Sequence, residues 1–179
     1  SGNFAYEFHG KSAHAGRDFY SGKNAILILN EVITKVNALN HEFKNLQIVF
    51  NPEFLTERNS EEDFNNQNRI ILGGPRPATT KLKQIFSIVF PNVYVIKTGS
   101  KHAEMIKYFT NCFLANKVSF ANEMHELCSA LDLDYDKVVE YATLDERLGH
   151  AHWGVPGPDG DLGFGGHCFP KDLSAMIEL

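Results

Sequence analysis

The residues best suited to chemistry lie in the stretch GFGGHCFPKD, residues 163–172. Three glycines before Cys168 predict a loop with unusual backbone angles and room for a ligand to come close. A cysteine reacts as its thiolate, which the charge of Lys171 and the dipole of a helix starting near Leu173 would favour. Asp172 would cap that helix or face the site. The pattern predicts a nucleophilic thiol, although a structural turn with an ordinary buried cysteine accounts for it about equally well.

A second group of polar residues lies within residues 103–131, which contain neither proline nor glycine. Apolar residues recur there at intervals of three and four, a pattern that predicts one long helix. Lys107 and Asn111 lie four residues apart and therefore share a face of that helix. A polar stripe exposed to solvent is the common outcome for such a pair. Asn116 and Lys117 are expected to face solvent.

Two acidic residues, Glu53 and Glu57, follow a short apolar run at 46–50. The run predicts a buried strand, which Asn51 and Pro52 end. Open α/β sheets bind ligands at the carboxyl edge of their strands, where the two acids would lie. A pair of solvated acids is an equally good explanation from spacing alone.

The segments between these motifs predict alternating strands and helices. Residues 61–68 are polar and predict an exposed loop, whereas residues 69–72 and 93–96 predict strands. A helix between those strands would be capped by Thr79 or Thr80 and would bury Leu82, Ile85, Phe86 and Val89. This order predicts a βαβ unit in a parallel sheet. After the long helix come a shorter helix at 133–143, capped by Asp134 or Asp136, and a long loop at 150–161.

Composition is that of an ordinary globular protein, with 43% hydrophobic and 22% charged residues. The net charge of −5 does not favour nucleic acid or an anionic membrane surface as a partner. No apolar run is long enough to span a bilayer. Cys112, Cys128 and Cys168 are widely spaced and form no CxxC pair, which argues against disulfides and zinc. We therefore expect a cytoplasmic protein with reduced thiols, in which Cys112 and Cys128 are core residues.

Three motifs, NPEFL followed by an acid, EMIKYFTNCFLANKVSFANE and GFGGHCFPKD, together resemble the nucleotide-sugar 6-dehydrogenases, the family of UDP-glucose and GDP-mannose dehydrogenases. The resemblance covers about residues 45–179. It implies oxidation of a sugar-nucleotide alcohol to an acid by two NAD in succession. Cys168 would hold the aldehyde as a thiohemiacetal and then as a thioester. Lys107 and Asn111 would stabilise the oxyanion, while Glu53 and Asp172 would position or deprotonate water.

The same resemblance implies the remaining site residues and a partner. Cofactor contacts are expected at Glu57 and Lys171. Arg147 would bind the sugar nucleotide from a neighbouring subunit, unless the long loop after it displaces it. A homodimer would form through the long helix. Substrate contacts are expected at Phe54, Leu55, Glu57, Arg147, Phe164 and Gly165.

The N-terminal stretch FHGKSAHAGRDFYSGKNAI resembles the start of the dimerisation domain of M20 metallopeptidases. Its pattern predicts a strand at 4–8 and a helix at 24–39. The sequence contains no GxGxxG turn, which the dehydrogenases use to hold NAD. We therefore expect a truncated or fused chain, inactive alone, with a non-catalytic dimerisation or interaction module as the alternative.

The expected fold class is α/β, a partial Rossmann-like parallel sheet followed by a mainly helical domain with one long central helix. The expected domains are an M20-dimerisation-like segment at 1–44, the second half of a nucleotide-binding domain at 45–98, and a helical domain with the cysteine loop at 99–179.

Overall fold

A computed structural model describes Lys35, residues 47–56 and residues 59–178. Within them, the first part comprises helix α1 (Ser60–Asn65), strand β1 (Arg69–Gly73), helix α2 (Arg76–Val89) and strand β2 (Tyr94–Thr98). The two strands pair in parallel, with Ile71 opposite Ile96, and α2 is their crossover. The predicted βαβ unit and the α/β class are confirmed. The strand expected at 4–8 lies outside the described residues, as does the helix at 24–39 apart from Lys35, which is helical.

The second part is helical. It comprises α3 (Ser100–Ala130), α4 (Tyr135–Ala142), a 3-10 helix (Glu146–Leu148) and α5 (Cys168–Ile177). The predicted long helix is confirmed as α3, and Asp134 caps α4 by accepting a hydrogen bond from the Lys137 backbone at 3.2 Å. In the described part of the chain, no helix combines the length and apolarity needed to cross a membrane.

The core centres on β1, whose Ile70, Ile71 and Leu72 are at most 3% exposed. The helix α3 packs against β1 at its start and against α4 and α5 further along. Gly73, the last residue of β1, brings the strand so close to α3 that an added Cβ would lie 2.5 Å from the Cβ of Ala103. This contact fixes where α3 leaves the sheet.

The prediction of an exposed polar loop at 61–68 is wrong, because Ser60–Asn65 form α1. Its first turn carries three acidic residues, which the positive end of the helix dipole favours. The helix also has a partner, since the Phe64 ring meets the Phe90 ring edge-on at 5.4 Å. Tertiary packing therefore supports a helix too short to be stable alone.

The predicted start and buried face of α2 also need correction. The helix begins at Arg76, after Pro75, and Thr79 is a buried residue of its first turns that donates to the Pro75 carbonyl at 3.1 Å. Two residues expected inside, Ile85 and Val89, are 57% and 62% exposed.

The strand expected at 46–50 is reduced to one antiparallel bridge. Phe50 exchanges two backbone hydrogen bonds with Gly73, each 2.8 Å long. The preceding residues 47–49 are not in a strand. The bridge nevertheless places Glu53 beside the carboxyl end of β1, where the sequence predicted it.

We predict that Gly73→Ala lowers the free energy of unfolding by about 1–3 kcal/mol, because the new methyl group overlaps Ala103. The control is Gly154→Ala, whose new Cβ would have its nearest neighbour 3.9 Å away. Denaturant unfolding of both variants measures the difference. Equal stabilities would contradict the close contact of β1 with α3.

Candidate functional site

Cys168 is the first residue of α5 and is half-buried. The sequence placed this helix start near Leu173, which is wrong by about one turn. The glycine loop ends earlier, with Gly163 and Gly166 at φ of 80° and 74°. Its backbone is tied to α3, since the Gly163 N–H donates to Asn122 Oδ1 at 2.9 Å. The helix dipole therefore has its positive end at the thiol.

Asp172 lies one helical turn after Cys168 and so shares its face of α5. It is not a helix cap, because it is the fifth residue of α5 and only 2% exposed. Asn111 of α3 donates from Nδ2 to Asp172 Oδ2 at 2.5 Å, and Lys171 pairs with Oδ1. Both oxygens of the buried carboxylate thus have a partner, as a buried charge requires.

Lys107 forms a second ion pair one turn before Asn111. Its Nζ donates to Glu53 twice, to the backbone carbonyl at 2.6 Å and to Oε1 at 3.0 Å. The Leu55 N–H donates to the other carboxylate oxygen at 2.8 Å. Burial alone would raise the pKa of Glu53, but the bonds from Leu55 and Lys107 and the charge of Lys171 lower it. Lys107 and Asn111 lie one turn apart on α3, so the two ion pairs form one cluster.

The side chains of Lys107 and Asn111 retain N–H groups that are not used in the hydrogen bonds of this cluster. A lysine ammonium has three and an asparagine amide two. Lys107 uses two on Glu53, and Asn111 uses one on Asp172. Each side chain is therefore held by a carboxylate and, as far as residues 47–56 and 59–178 are concerned, still has one N–H for a further oxygen. The solvent-exposed polar stripe, the other reading of this pair, is excluded because Asn111 is 6% exposed.

Two neighbours of the cluster were not foreseen from the sequence. Burial, and then the charge of Asp172, raise the pKa of Tyr108 to about 12. The same two causes raise the pKa of the Cys112 thiol. The only available signal was their position on α3, four residues apart and each directly after a residue of the predicted pair. Cys112 is half-buried, whereas Cys128 is buried as predicted.

The predicted substrate contacts near Glu53 are only partly described. Glu57 lies outside the described residues. The Phe54 ring lies beneath two cations, 4.3 Å from the Arg69 guanidinium carbon and 5.5 Å from Lys107 Nζ. Leu55 contributes through its backbone N–H to Glu53. This stretch therefore positions Lys107.

On the α5 side of the cluster, the Phe164 ring meets the Phe169 ring edge-on, with their centroids 6.5 Å apart. This contact places Phe164 at the first turn of α5. Gly165 sits so close to Asp159 that an added Cβ would lie 2.9 Å from its carboxylate. The glycine loop is thus folded back onto the long loop at 150–161.

Arg147 is not brought to the cluster of its own chain. Its side chain is 88% exposed and pairs with Asp145 at 2.5 Å. The turn that carries it is attached to Lys117, which lies about 15 Å along α3 from Lys107. Lys117 itself was expected to face solvent, which is wrong, because it donates to the Leu148 carbonyl at 2.8 Å. Asn116 is exposed as predicted.

Binding of NAD requires a site for its pyrophosphate. Its pyrophosphate needs a strand, a glycine turn and a helix N-terminus that converge on phosphate. Within residues 47–56 and 59–178, Gly73 and Gly74 follow a strand, but an added Cβ at each would meet protein atoms within 2.7 Å. These two glycines allow neighbouring segments of the protein to pack closely against the end of β1. The described residues therefore do not form a pyrophosphate site.

Comparison with known proteins locates two family signatures in the chain. Residues 101–179 match the model of the central domain of the UDP-glucose/GDP-mannose dehydrogenase family. Residues 1–103 match the model of a peptidase dimerisation domain. This match is longer than the segment 1–44 in which the sequence motifs resemble such a domain.

The relatives are dehydrogenases. UDP-glucose 6-dehydrogenase AglM of Haloferax volcanii is 42% identical over 74% of this chain and 30% of its own length. UDP-glucose 6-dehydrogenase of Rickettsia bellii is 34% identical over 99% of this chain and 40% of its own. A solved UDP-glucose dehydrogenase from Pyrobaculum islandicum is 38% identical over 74% of this chain and 29% of its own, with a TM-score of 0.66.

Residues 101–179 belong to the UDP-glucose/GDP-mannose dehydrogenase family, and residues 1–103 belong to the peptidase dimerisation domains.

The two assignments overlap before α3. Because residues 101–179 are less than half of the chain, a structural match over 74% must include part of the preceding βαβ unit. The described fold of that unit is therefore that of the dehydrogenase family. The chain spans about a third of the length of the curated relatives it matches.

We predict that Cys168 is alkylated about tenfold faster than the other two cysteines. Cys128 is only 4% exposed, and the raised pKa of Cys112 disfavours its thiolate. Mass-spectrometric mapping after brief treatment with iodoacetamide measures the three rates. Faster labelling of Cys112 or Cys128 would contradict the prediction.

Proposed function

We propose that this chain carries the thiol and acid-base part of an NAD-dependent nucleotide-sugar 6-dehydrogenase that converts UDP-glucose or a similar sugar nucleotide to its uronic acid. The supporting observation is the buried Asp172 carboxylate, which joins the helix of Cys168 to Asn111 of α3. A buried carboxylate has a large desolvation penalty, which its hydrogen-bond and ion-pair partners must offset. A module that acts only through its surface does not need such a group.

The chain's own residues account for the thiol chemistry. The Cys168 thiol gives its proton to solvent, the thiolate sulfur adds to the C6 aldehyde carbon, and the carbonyl oxygen becomes the oxyanion of a thiohemiacetal. The remaining N–H groups of Lys107 and Asn111 would stabilise that oxygen, since their carboxylate partners already hold them in place. NAD, when bound, would accept one hydride from the C6 alcohol and a second from the thiohemiacetal, which thereby becomes a thioester. The cofactor contacts are predicted at Lys171 and Glu57.

Hydrolysis of the resulting thioester requires a base to activate water. Glu53 suits this role better than Asp172, because its side chain is 55% exposed whereas that of Asp172 is 2% exposed. The lowered pKa of Glu53 keeps it ionised at neutral pH. Asp172 instead positions Asn111 and balances the charge of Lys171.

The test is protection of Cys168 from iodoacetamide by the C6 aldehyde of UDP-glucose. We expect about tenfold slower alkylation of Cys168 with this aldehyde than with equal glyceraldehyde, because the nucleotide sugar places its carbonyl at the thiol. Cys112 and Cys128 are internal controls in the same sample. Asn111→Ala should reduce the protection. Equal alkylation rates with both aldehydes would contradict the proposed function.

We also propose a homodimer through α3. Five large apolar side chains on this helix are 49% to 72% exposed and lie within about 80° of arc, opposite its buried face. They form the α3 stripe, which consists of Met105, Phe109, Phe113, Phe120 and Leu127. A second copy of the chain would cover this stripe, and Arg147 would then reach the sugar nucleotide of the partner.

Phe113→Glu should convert the dimer to a monomer, because it places a charge in the middle of the α3 stripe. Ile88→Glu, at a position 81% exposed on α2, is the matched control and should leave the dimer intact. Sedimentation velocity at high micromolar concentration measures both. A wild-type chain that sediments strictly as a monomer would contradict the proposal.

The match of residues 1–103 to a peptidase dimerisation domain supports a second candidate, a non-catalytic dimerisation module. It predicts a dimer without any effect of sugar nucleotides on Cys168 and no heat on titration with NAD. The three free cysteines of the described residues are consistent with the cytoplasmic location that we propose in either case.

A further inference from the structure

Lys117 is enclosed by the segment that follows Arg147. Its Nζ donates to the Leu148 carbonyl at 2.8 Å and to the Gly149 carbonyl at 3.4 Å. It also lies 4.4 Å from the centre of the Trp153 ring, in cation–π geometry. The Trp153 indole N–H donates to the same Gly149 carbonyl at 2.8 Å. We call these four residues the Lys117 clamp.

The clamp is anchored in the helical domain from two directions. Tyr135, the first residue of α4, donates from its hydroxyl to the Trp153 carbonyl at 2.7 Å. Phe120, one turn along α3 from Lys117, meets the Trp153 ring edge-on at 6.3 Å. Lys117 is half-buried, and this partial removal from water lowers its pKa. An ammonium in such a place needs its carbonyl acceptors.

The clamp determines where two polar side chains lie. Arg147 immediately precedes Leu148, in a 3-10 helix of three residues whose last carbonyls have no helical partner. The His152 ring lies 5.7 Å from the ring of Phe169, the residue after Cys168. Burial and then the charge of Lys117 lower the pKa of His152, so the clamp and the imidazole are neighbours. One segment is thus held between α3 and the start of α5.

We propose that Lys117, together with Trp153, is a positioning residue that holds the Arg147 turn in the geometry needed to bind a sugar nucleotide. This inference rests on the proposed function. Phe120 belongs to the α3 stripe and touches Trp153, so the clamp lies at the edge of the surface that a second copy would cover. Without the clamp, this 88% exposed arginine on a three-residue helix would be oriented, among the described side chains, by Asp145 alone.

The experiment compares Lys117→Met with Lys117→Arg, and with Lys101→Met as a control at an exposed position of the same helix. Trp153 is the only tryptophan of the chain, so its emission spectrum reports the clamp directly. The second measurement is the UDP-glucose concentration that halves the alkylation rate of Cys168. The third is the unprotected alkylation rate, which reports whether α5 is intact.

In Lys117→Met we expect the emission spectrum of Trp153 to change. The UDP-glucose concentration that halves the alkylation rate of Cys168 should rise about tenfold, whereas the alkylation rate without UDP-glucose should change less than about twofold. Lys117→Arg should restore both values because its guanidinium keeps the donors and the cation. Unchanged emission, or wild-type protection in Lys117→Met, overturns the clamp alone. Absence of protection in the wild-type chain overturns the proposed function and, with it, this role of Lys117.

Discussion

The buried carboxylate of Asp172 is the interaction on which the arrangement of the site depends. At 2% exposure it has given up nearly all of its contact with water, and an uncompensated charge in that position would be severely destabilising. Its two oxygens are instead bound by Asn111 from α3 and by Lys171 from its own helix. The pairing fixes the rotation of α5 relative to α3, and with it the direction of Cys168 one turn earlier.

The long helix α3 is the rigid element that relates the parts of the site to one another. Lys107 and Asn111 lie one turn apart and each engages a carboxylate. Lys117 follows about 15 Å further along and holds the Arg147 turn. The apolar α3 stripe occupies another side of the same helix. A single continuous helix can therefore set both the geometry within one chain and the distance to a second one.

The charges of the cluster alternate in sign, which explains how several ionisable groups share a partly buried volume. Lys107 forms an ion pair with Glu53. Lys171 forms an ion pair with Asp172, and its charge also lowers the pKa of Glu53. The negative charge of Asp172 is felt by the protonated groups around it, and it raises the pKa of Tyr108 and of Cys112. Burial and the charge of Asp172 thus both disfavour the ionised forms of Tyr108 and Cys112.

The amino-acid sequence by itself determined the elements that local periodicity specifies. The long helix α3 and a cap of α4 by Asp134 or Asp136 were predicted from residues close together in the chain. The parallel pairing of β1 with β2 was predicted from the order of strand, helix and strand. The motifs also identified the family. They named Asn111 and Asp172 as partners in one site before any contact was known.

Tertiary structure alone decided which side chains are buried and what they touch. Asp172 became a buried ion-pair residue, where the sequence left open a helix cap or a polar group facing the site, and Lys117, which was expected to face solvent, became part of the clamp. Ile85 and Val89 face outward despite a spacing that predicted a buried face, and α1 forms where polar residues predicted a loop. The contacts of Asp172, Lys117 and α1 come from elements distant in sequence, and the exposure of Ile85 and Val89 depends on which face of α2 the sheet covers. A local pattern contains neither kind of information.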